Sequence, residues 1–583
     1  MRTNLFIGAA AIALLAPVAV MAQETTSTIR GTVTAAGAPV AGASVTIVDV
    51  SSGTRAVSTT NAQDSFNVAG LRPGGPYTVS VEAPGYNSTQ VTDIQTVVAQ
   101  PYDLPVELSA VTAAAAPADV VVTASRIPNA RSVSQGPANV LNANQISKVA
   151  SVNRDIRDLI QRDPFATLDT SQSTGRQVSF AGVNPRFNRF TVDGVPITDS
   201  FGLNPDALPS RRGPVPLDSI GQFETKVAPY DIREGFFQGG VVNAILKSGT
   251  NSFHGTGFFT YNSDSLTGNR TKPFSSLNGG TNADGTVTVP HFESRDFGAT
   301  LSGPIIKDKL FFMISGERVR ASLPLSYGGG ATTSGGSPFT NLSDATVNAV
   351  GAIAQSQYGV NAGGILTNNG DQDDRIVGKI DANLSSTQRL AITGIYTKDQ
   401  IYTLGSTSSN VLPTISDDYI KPNRVFAGVV QLNSDWTPTL STETRIRYKD
   451  YKSGQTPLLA NTALATVCTD AGSAGAVTVG SATSCSSGVP SVLVGPQTSA
   501  QANVLRVKTF GASEVVRVTA GDHVVRGLFE FENANNYDLF VNGANGSYYF
   551  DSIAAFNART AQTFSYSNAT TLNPADASAI FSY

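Results

Sequence analysis

The chain has 583 residues, a charged fraction of 14% and a formal net charge of −4. Its length exceeds that of one compact domain, and its charged fraction lies well below the roughly 25% of soluble proteins. The slightly acidic balance and the lack of a basic stretch argue against nucleic-acid binding, because phosphate contacts need clustered Lys and Arg.

The first 22 residues have the pattern of a secretory signal peptide. Arg2 supplies the positive start, residues 5–20 form an apolar core, and Val20-Met21-Ala22 provides a small-residue cleavage site. The alternative is a transmembrane anchor, but the apolar core is short for the roughly 20 residues of a spanning helix. An exported chain without a helical span can still lie in a membrane if its strands close into a barrel.

Residues 24–110 are predicted to form a small immunoglobulin-like β-sandwich. Short alternating strands, such as residues 44–50 and 77–81, are separated by clusters of Gly and Pro. The phrase AGLRPGGPYTVSVEAPGY, residues 69–86, resembles the carboxypeptidase regulatory-like domain. That family carries Asp-x-x-Gly ahead of the aromatic residue, whereas this chain has NAQDSF at 61–66, which leaves the turn type open.

Residues 111–127 are predicted to be a linker that carries a partner-binding strand. The segment 110–118 is Ala-rich and contains Pro117, as flexible or extended linkers do. The run DVVVTASR that follows favours a strand and resembles the TonB box of outer-membrane receptors, a periplasmic peptide that TonB grips by strand addition. An edge strand of a neighbouring domain is the alternative. The resemblance assigns TonB binding to Asp119, Val120, Val121, Val122, Thr123 and Ala124.

Residues 128–250 are predicted to form an α+β plug domain. A helix is expected from Ser151, with Ile156, Leu159 and Ile160 on one face and Pro164 at its end. Strand-like pieces follow at 176–183, 189–197 and 222–232.

The segment FTVDGVPITDSFG is similar to the plug motif of TonB-dependent receptors. Its Asp193-Gly194 pair signals a tight turn between apolar runs. Arg186, Arg189, Asp193 and Asp199 are candidates for lining a ligand path. For Asp193 the simpler interpretation as a turn residue is favoured.

The run FFQGGVVNAILKSGTNSFHGTGFFTYN, residues 236–262, changes from Gly-rich and apolar to an aromatic strand. It strongly resembles the junction between the plug and the first barrel strand of Oar-like TonB-dependent outer-membrane receptors. GATLSGPIIKDKLFFMISGE, residues 298–317, resembles the first periplasmic hairpin of that family. The resemblance implies that segments before the junction are periplasmic or lie inside a pore, and that later ones form the membrane wall.

Residues 251–583 are predicted to form part of a transmembrane β-barrel. In a typical strand, Arg445, Arg447 and Lys449 alternate with Ile446 and Tyr448, which gives one polar and one apolar face. Strands are predicted at 253–262, 295–303, 309–320, 374–383, 388–398, 424–433, 440–452, 503–518, 523–533 and 546–551. The connections between them are long and short in turn, as in outer-membrane barrels, where short turns face the periplasm and long loops face outside.

Cys468 and Cys485 are the only cysteines, and both fall in one long loop. Export favours a disulfide between them, which would contribute roughly 3 kcal/mol in the chain-entropy model. A metal site is the poorer alternative, because His254, His291 and His523 are all distant in sequence.

The number of strands conflicts with the size of the plug. Plugged transporters use about 22 strands, and about ten are visible here. We therefore expect the chain to carry only the first half of the barrel, although Ala579, Phe581 and Tyr583 alternate as the ends of completed barrels do. The expected fold is dominated by β-structure, with an Ig-like sandwich, an α+β plug and an antiparallel barrel.

The leading functional hypothesis, which the resemblance implies, is an active transporter or receptor in the outer membrane of a Gram-negative bacterium, with a periplasmic N-terminal domain, that takes up its ligand when TonB pulls on the box. The resemblance implies TonB, ExbB and ExbD as partners, together with lipid and an unidentified extracellular ligand such as a peptide, oligosaccharide or metal chelate. A surface adhesion or scaffold protein without transport is the alternative. An enzyme is disfavoured because no zinc, P-loop or nucleophile-elbow motif is present, and no cofactor is implied.

Overall fold

In the computed structural model, the chain folds into a sandwich, a plug, a long wall sheet and a smaller domain beyond the wall. The predicted signal peptide and the predicted TonB box lie outside the described residues. The described residues are 25–111, 130–132, 137–169, 176–199, 201, 204, 206–227, 238–270, 274–275, 281–282, 285, 289, 291–323, 327–328, 337–338, 342–366, 369–405, 410–469, 485, 489–520 and 523–566.

The sandwich is built from two sheets that enclose one apolar core. One sheet has the order β4-β3-β6-β7, and in the other β1 pairs with β2, β5, β8 and β9. Buried and part-buried residues alternate along β3, as expected of a strand with one core face. The strands are β1 Ser27–Ala35, β2 Ala38–Pro39, β3 Ser44–Asp49, β4 Arg55–Thr59, β5 Ser65–Leu71, β6 Gly74–Glu82, β7 Thr89–Thr96, β8 Pro101–Asp103 and β9 Val106–Glu107.

The turn that the sequence left open is closed by an amide side chain. The Asn61 Oδ1 accepts hydrogen bonds from the backbone N–H groups of Gln63 at 2.9 Å and Ser65 at 3.0 Å. Asp64 adopts a left-handed conformation with φ 64°, which Asp tolerates better than most residues. Asn and Asp thus fill the turn where the related family has Asp and Gly.

The plug is a five-stranded sheet with the order β11-β16-β17-β14-β15 and a separate β12–β13 hairpin. Every residue of its central strand β17 is buried. Strand β10, Arg131–Ser132, pairs with β8 of the sandwich. The elements of the plug are β11 Ala138–Asn142, α1 Ala143–Ile146, α2 Arg157–Ile160, β12 Ala166–Leu168, β13 Val178–Phe180, β14 Arg189–Val192, β15 Val195–Pro196, β16 Ile220–Lys226 and β17 Val241–Leu246.

The predicted start of the plug helix at Ser151 is wrong. Helix α2 is a single turn that begins at Arg157, because Arg154 has a φ of +50° and breaks the helical path. The Ser151 hydroxyl accepts from the Asp155 N–H at 3.0 Å and donates to Asp158 at 2.5 Å. The predicted apolar face is nevertheless buried, since Ile156 and its partners belong to the plug core.

Among the described residues, nine long antiparallel strands of the wall follow in the order β18-β21-β22-β25-β26-β28-β29-β33-β34, and the two-residue strand β30 pairs with β28 beside them. Each is hydrogen-bonded to the next, and β18 and β34 stand at the two ends of this order. The strands after the plug are β18 His254–Ser263, β19 Phe274–Ser275, β20 Thr281–Asn282, β21 Glu293–Ile306, β22 Leu310–Leu323, β23 Tyr327–Gly328, β24 Ser337–Pro338, β25 Asn369–Asn383, β26 Gln388–Thr403, β27 Val411–Pro413, β28 Tyr419–Thr437, β29 Leu440–Gly454, β30 Thr456–Pro457, β31 Leu464–Cys468, β32 Ser491–Val494, β33 Asn503–Ala520, β34 His523–Phe540, β35 Ser547–Phe550 and β36 Thr563–Ser565.

The two faces of the wall differ as the alternation predicts. In β29, Arg445 and Arg447 are buried on the inner face, whereas Ile446 is 50% exposed on the outer face. Phe259 and Phe529 are 67% and 64% exposed on their strands. A face of this kind suits hydrocarbon, and the polar face suits a lumen. The alternation of connections is also confirmed, because β21–β22, β25–β26, β28–β29 and β33–β34 are joined by short turns.

Long connections between wall strands, together with the segment that follows β34, fold into a domain of their own, which we call the outer domain. Its sheet has the order β27-β32-β31-β35-β36, and helices α3 Asp344–Tyr358 and α4 Ile553–Asn557 pack on it through one apolar cluster. Cys468 and Cys485 are joined in a disulfide with a Cα–Cα distance of 5.8 Å.

One predicted wall strand belongs to this outer domain. The segment 546–551, taken from its pattern as the tenth wall strand, is β35, and it pairs with β31 and β36 rather than with the wall. Its aromatic residues pack on Tyr358 and Phe556 of the two helices. An aromatic strand that is buried within a folded loop domain has the same local pattern as one that faces lipid. Within the described part of the chain, no helix is both long and apolar enough to cross a membrane.

Candidate functional site

The plug is seated against the inner face of the wall by apolar packing. Plug residues such as Phe190 and Leu246 form one continuous buried cluster with Met313, Val377 and Ile395 of wall strands β22, β25 and β26. Side chains of the wall therefore complete the plug core. Removing the plug from this seat would expose apolar surface on both partners, which opposes its displacement.

Charged groups add a second set of contacts at this seat. The guanidinium of Arg212 in the plug reaches Asp371 of β25 at 2.5 and 3.2 Å. Arg211 lies 3.5 Å from the same carboxylate, and its backbone N–H donates to Asp399 of β26 at 2.6 Å. Asp371 and Asp399 are fully buried. Buried charges of this kind are tolerated only while they remain paired.

A second cluster joins the plug to β22 and β25. Arg375 donates to Glu317 at 2.6 Å and to the Arg154 carbonyl at 3.2 Å, and Arg154 itself lies 3.1 Å from Glu317. The Arg154 guanidinium also lies 3.8 Å from the ring centre of Phe258. A single carboxylate thus holds one arginine from the wall and one from the plug.

Within the plug, Arg157 is held by two acidic residues. Its Nε donates to Asp206 at 2.7 Å, and its Nη1 lies 3.2 Å from Asp155. Burial alone lowers the pKa of Arg157, but these two carboxylates outweigh that effect and raise it above the ordinary value. The arginine is therefore charged at every physiological pH, and it fixes the loop that carries Asp206.

Asp193, a predicted ligand-path candidate, is held by contacts within the protein. It sits at the tip of the β14–β15 turn with φ 44°, as its turn interpretation predicts. Its carboxylate accepts from the Leu246 N–H and the Thr393 hydroxyl, both at 2.9 Å, and pairs with Lys379 at 3.0 Å. Asp193 therefore ties the plug to β25 and β26.

The other three candidates are not gathered with Asp193 into one open surface. Asp199 is buried and accepts from the N–H groups of Phe201 and Asn204 at 3.1 and 2.8 Å. Arg189 is also buried, whereas Arg186 is exposed in a short turn. Only Arg186 has the exposure that direct contact with a ligand requires, so their shared role in a ligand path stays a prediction.

The sandwich is docked at the short-turn end of the wall. The Arg389 guanidinium donates to the carbonyls of Ala69 and Gly70 at 2.6 and 3.2 Å, and it pairs with Asp435 at 2.5 Å. In addition, the Thr25 hydroxyl donates to the Gln431 side chain at 2.8 Å. A Cβ on Gly70 would lie 2.6 Å from that of Asn433, so the two surfaces are in close contact.

The sandwich also contacts the plug and the start of the wall. Gln222 accepts from the Val98 N–H at 2.9 Å and donates to the Thr96 carbonyl at 3.0 Å. Arg72 donates to the Gly249 carbonyl at 3.1 Å, and the Asn251 N–H donates to the Ser51 carbonyl at 3.1 Å. The domain therefore spans both the plug and the wall at this end.

A cavity of about 650 Å³ remains between the sandwich, the plug and the wall. Its lining includes the cations Arg72, Lys247, Lys379 and Arg389. Burial lowers the pKa of Lys247, and the nearby Asp218 opposes that shift in part.

The residues that fix the plug seat were missed by sequence reasoning. Asp371, Asp373 and Arg375 stand at i, i+2 and i+4 in β25 and are all buried on one face, but the predicted strand began only at residue 374. Charged residues with a period of two at the outer end of an alternating strand were the available signal. The Arg211-Arg212 pair, in a loop, has no comparable local signature.

Asp418 lies where the outer domain meets β28, and its ionisation makes the local stability depend on pH. Burial raises the pKa of Asp418 to about 7, and the Gly405 N–H, 3.0 Å from its carboxylate, opposes the shift in part. An unfolded Asp titrates near ~4. The folded state thus binds the Asp418 proton more tightly than the unfolded state does. The stabilisation of the folded state by this proton is complete below about pH 4 and is lost as the pH rises through 7.

We expect amide exchange in residues 410–418 to accelerate when the pH is raised from 5 to 8, after correction for the intrinsic exchange rate. Asp418→Asn, which cannot ionise, should remove this dependence. The measurement is hydrogen exchange followed by mass spectrometry. An unchanged pH dependence in the variant would assign the effect to another group, such as the buried neighbour Asp417.

The described residues contain no group of three or more His, Cys, Asp or Glu side chains that could hold a metal ion.

Three family models match the chain in succession. They are the carboxypeptidase regulatory-like domain over residues 28–109, the TonB-dependent receptor plug domain over 131–241, and the outer membrane beta barrel domain over 245–579. The last of these alone covers more than half of the chain.

Two curated relatives are similar over shorter stretches. The "TonB-dependent transporter Oar" of Myxococcus xanthus is 32% identical over 146 residues, which are 24% of this chain and 12% of the relative. The "Probable TonB-dependent siderophore receptor PirA" of Acinetobacter baumannii is 30% identical over 178 residues, which are 28% of this chain and 21% of the relative.

Among solved structures, the outer membrane transporter YddB from Escherichia coli is similar with a TM-score of 0.48 and 13% identity, over 71% of this chain and 50% of that one. The siderophore receptor PirA from Acinetobacter baumannii gives a TM-score of 0.42 and 16% identity, over 68% and 48%. The match thus spans about half the length of these receptors.

The order of the three matched domains agrees with the order of sandwich, plug and wall in the structure. The protein is an outer-membrane protein of the Gram-negative type. The chain belongs to the outer-membrane β-barrel family and, within it, to the TonB-dependent receptors that carry a plug and an N-terminal carboxypeptidase regulatory-like domain.

Proposed function

We propose that the protein takes up an extracellular ligand actively, with energy that TonB delivers from the inner membrane through ExbB and ExbD. The observation that carries the proposal is the plug seat, in which buried ion pairs and apolar packing hold the plug against the wall. A seat of this kind does not open without work, because each buried charge that loses its partner is strongly unfavourable. An external pull supplies that work.

The proposed point of attachment is the box, residues 119–124, which lies outside the described residues. The described chain leaves the sandwich at Val111, whose N–H donates to the Gly85 carbonyl at 3.1 Å. It returns at β10, whose Arg131 and Ser132 pair with Asp103 and Tyr102 of β8. A box between these points would transmit a pull to the sandwich sheet as well as to the plug.

The reach of the box suits capture by a partner in the periplasm. Six extended residues span only about 20 Å, so the residues on either side, within 112–129, must add to the reach. The binding mode would be strand addition, in which main-chain hydrogen bonds supply most of the affinity.

Deletion of residues 119–124 is expected to leave ligand binding unchanged and to abolish uptake. The reason is that binding takes place at the outer surface, whereas the box acts only on the opposite side. The measurement is accumulation, in intact cells, of the labelled nutrient whose limitation induces the protein. Binding of the purified C-terminal domain of TonB is measured in parallel.

A matched control deletes six residues of the Ala-rich segment, 112–117, which shortens the linker equally but keeps the box and the last sandwich contact. Wild-type uptake by the box deletion would refute energy coupling through this segment. Loss of uptake in both deletions would show that the length of the linker, and not the box, is limiting.

A second candidate function is adhesion or ligand binding at the cell surface without transport. The folded outer domain, with its disulfide and its own apolar core, favours this candidate, since a rigid domain suits a binding surface. The candidate predicts retention of a bound partner on the cell and no accumulation inside it. Dissipating the proton gradient would then have no effect, whereas it would stop accumulation by a transporter. We propose no catalytic activity for the chain.

A further inference from the structure

The outer domain contains an aromatic pocket that no part of the proposed transport mechanism requires. Its volume is about 480 Å³, within the range of pockets that hold small molecules. Six aromatic side chains line it, namely Tyr358, Tyr548, Phe550, Phe556, Phe564 and Tyr566.

The rings form a continuous series. Phe556 stacks on Tyr358 with centroids 4.7 Å apart, and Phe550 meets Phe556 edge to face at 4.9 Å. Tyr548 then contacts Phe564 at 4.5 Å. Phe556 stacks on Tyr358 and Tyr566 stacks on Phe564, yet Tyr358 and Phe564 remain 38% and 41% exposed, so part of each ring is accessible. An added flat ring can stack there or meet an edge, as aromatic pairs prefer.

One cation stands in this apolar lining. Arg559 is the only charged residue among the described residues that line the pocket, and its guanidinium lies 5.9 Å from the ring centre of Tyr358. The described residues offer its side chain no carboxylate partner. Because Arg559 is exposed, it is hydrated rather than buried, and it is available to an anion that enters the pocket.

The backbone at Arg559 is in an unfavourable conformation. The residue follows the C-cap of helix α4 with φ 59°, a left-handed position at which helices usually place Gly. A branched or long side chain in that region costs roughly 1 kcal/mol relative to Gly. Strain of this kind marks a position where the side chain has a use that offsets the cost.

We propose that this pocket binds a carboxylate that carries a flat ring, either as a free aromatic acid or as a peptide that ends in an aromatic residue. The ring would pack against the exposed parts of Tyr358 and Phe564, and the carboxylate would pair with the Arg559 guanidinium. The inference deepens the proposed function, because it names the ligand class that the outer surface of the receptor would capture.

The test is equilibrium binding to the full chain in lipid nanodiscs, followed by saturation-transfer NMR and calorimetry. The probes are N-acetyl-L-phenylalanine, its uncharged amide, and acetate, which has the charge without the ring. The peptide Gly-Gly-Phe with a free or an amidated C-terminus distinguishes a peptide ligand from a free acid. We expect the two ring-bearing carboxylates to bind at least about tenfold more tightly than the corresponding amides, as expected of a charge-assisted hydrogen bond.

Two variants assign the site. Arg559→Gly should lower carboxylate affinity about tenfold, to the level of the amide, and should leave the thermal midpoint equal or higher, because Gly suits the backbone at this position. Phe564→Ala should weaken both probes by about threefold to tenfold. Arg55→Gly, which removes an exposed cation from the distant sandwich, is the charge-matched control and should change nothing.

Equal binding of acid and amide would overturn the proposal, as would undiminished binding by Arg559→Gly or an absence of binding by every ring-bearing probe. The assay uses neither TonB nor a proton gradient. Failure here therefore leaves the uptake proposal intact, and loss of uptake after deletion of the box leaves this proposal intact.

Discussion

A disulfide that ties the sandwich to the plug–wall junction is expected to abolish uptake. The pair is Ser51→Cys with Asn251→Cys, whose backbones already meet through a hydrogen bond of 3.1 Å. Residues that exchange backbone hydrogen bonds in paired strands have Cα atoms about 5.5 Å apart, and disulfides span roughly 4.4–6.8 Å. The bond would therefore form without large movement of either domain.

The expectation follows from where the sandwich lies. It contacts the wall through Arg389 and Thr25, and the plug through Gln222. These contacts place it across the short-turn end, where the plug would have to release a ligand. A path through the lumen therefore requires the sandwich to separate from this end. The contacts that resist separation are hydrogen bonds, which water can replace, and a small apolar cluster of Val98 and Ala99 with Ile245 of the plug. A covalent bond there is not exchangeable.

Uptake by the oxidised variant should fall to the level of the box deletion, and a reductant should restore it. Binding of the ligand at the outer surface should remain. The reduced form of the same variant also controls for loss of the hydrogen bonds between Asn251 and Asp308.

The matched control is Asn87→Cys with Ser109→Cys, because the Asn87 N–H donates to the Ser109 carbonyl at 2.9 Å within the sandwich itself. Its disulfide does not cross the interface and should leave uptake unchanged. The reductant can also reduce the native Cys468–Cys485 disulfide. Uptake by the control variant in the presence of reductant shows whether that reduction matters. Full uptake by the oxidised interface variant would show that the sandwich need not move.

Local patterns in the sequence predicted what depends on local structure. Alternation in Arg445–Lys449 gave the inner and outer faces of its strand, and Asp193-Gly194 gave the hairpin turn. The contrast between short and long connections gave the two ends of the wall. Each of these signals comes from neighbouring residues, whose spacing is fixed by the period of a strand or the geometry of a turn.

What the sequence did not reveal depends on contacts between distant segments. Arg389 meets Ala69 across 320 positions, and no local pattern of either residue records the other. The outer domain was missed for a different reason. Helix α3 has a Ser343 N-cap and a left-handed Gly359 after its last turn, and both are helix signals that a sequence can show. These signals lie in a long connection between two predicted wall strands, for which no helix was predicted. The aromatic β35 was ambiguous, since lipid and a protein core select the same residues.

Replacement of Asp371 by Asn is expected to loosen the plug in the wall more than any other single isosteric change at the seat. Arg212 and Asp371 are both buried and share two contacts of 2.5 and 3.2 Å. The amide keeps the shape of the side chain but removes the counter-charge in direct contact with the guanidinium, and it leaves only the Asp373 carboxylate, 3.9 Å away. Removing one partner of a buried pair typically costs about 3–5 kcal/mol. Arg211, whose side chain is one-third exposed, can turn to water and adds less.

Protection of the plug against a protease, measured against urea concentration, reports this loss, because the hydrogen-bonded wall should resist both agents. Asp374→Asn is the matched control: it lies in the same strand but points to the other face, where its partners Arg318 and Arg320 are partly exposed. Exposed pairs contribute at most about 1 kcal/mol, so the control should shift the urea midpoint little.

The double variant Arg212→Leu with Asp371→Leu separates charge from contact at the same position. If the loss in Asp371→Asn comes from the orphaned arginine, removing both charges should recover much of the protection, since apolar replacements of buried pairs are often neutral or better. If instead the double variant is as loose as the single one, the pair contributes through its hydrogen-bond geometry. If the urea midpoint of Asp371→Asn equals that of Asp374→Asn, neither the charge nor the hydrogen bonds of the pair matter. Apolar packing alone would then hold the plug in its seat.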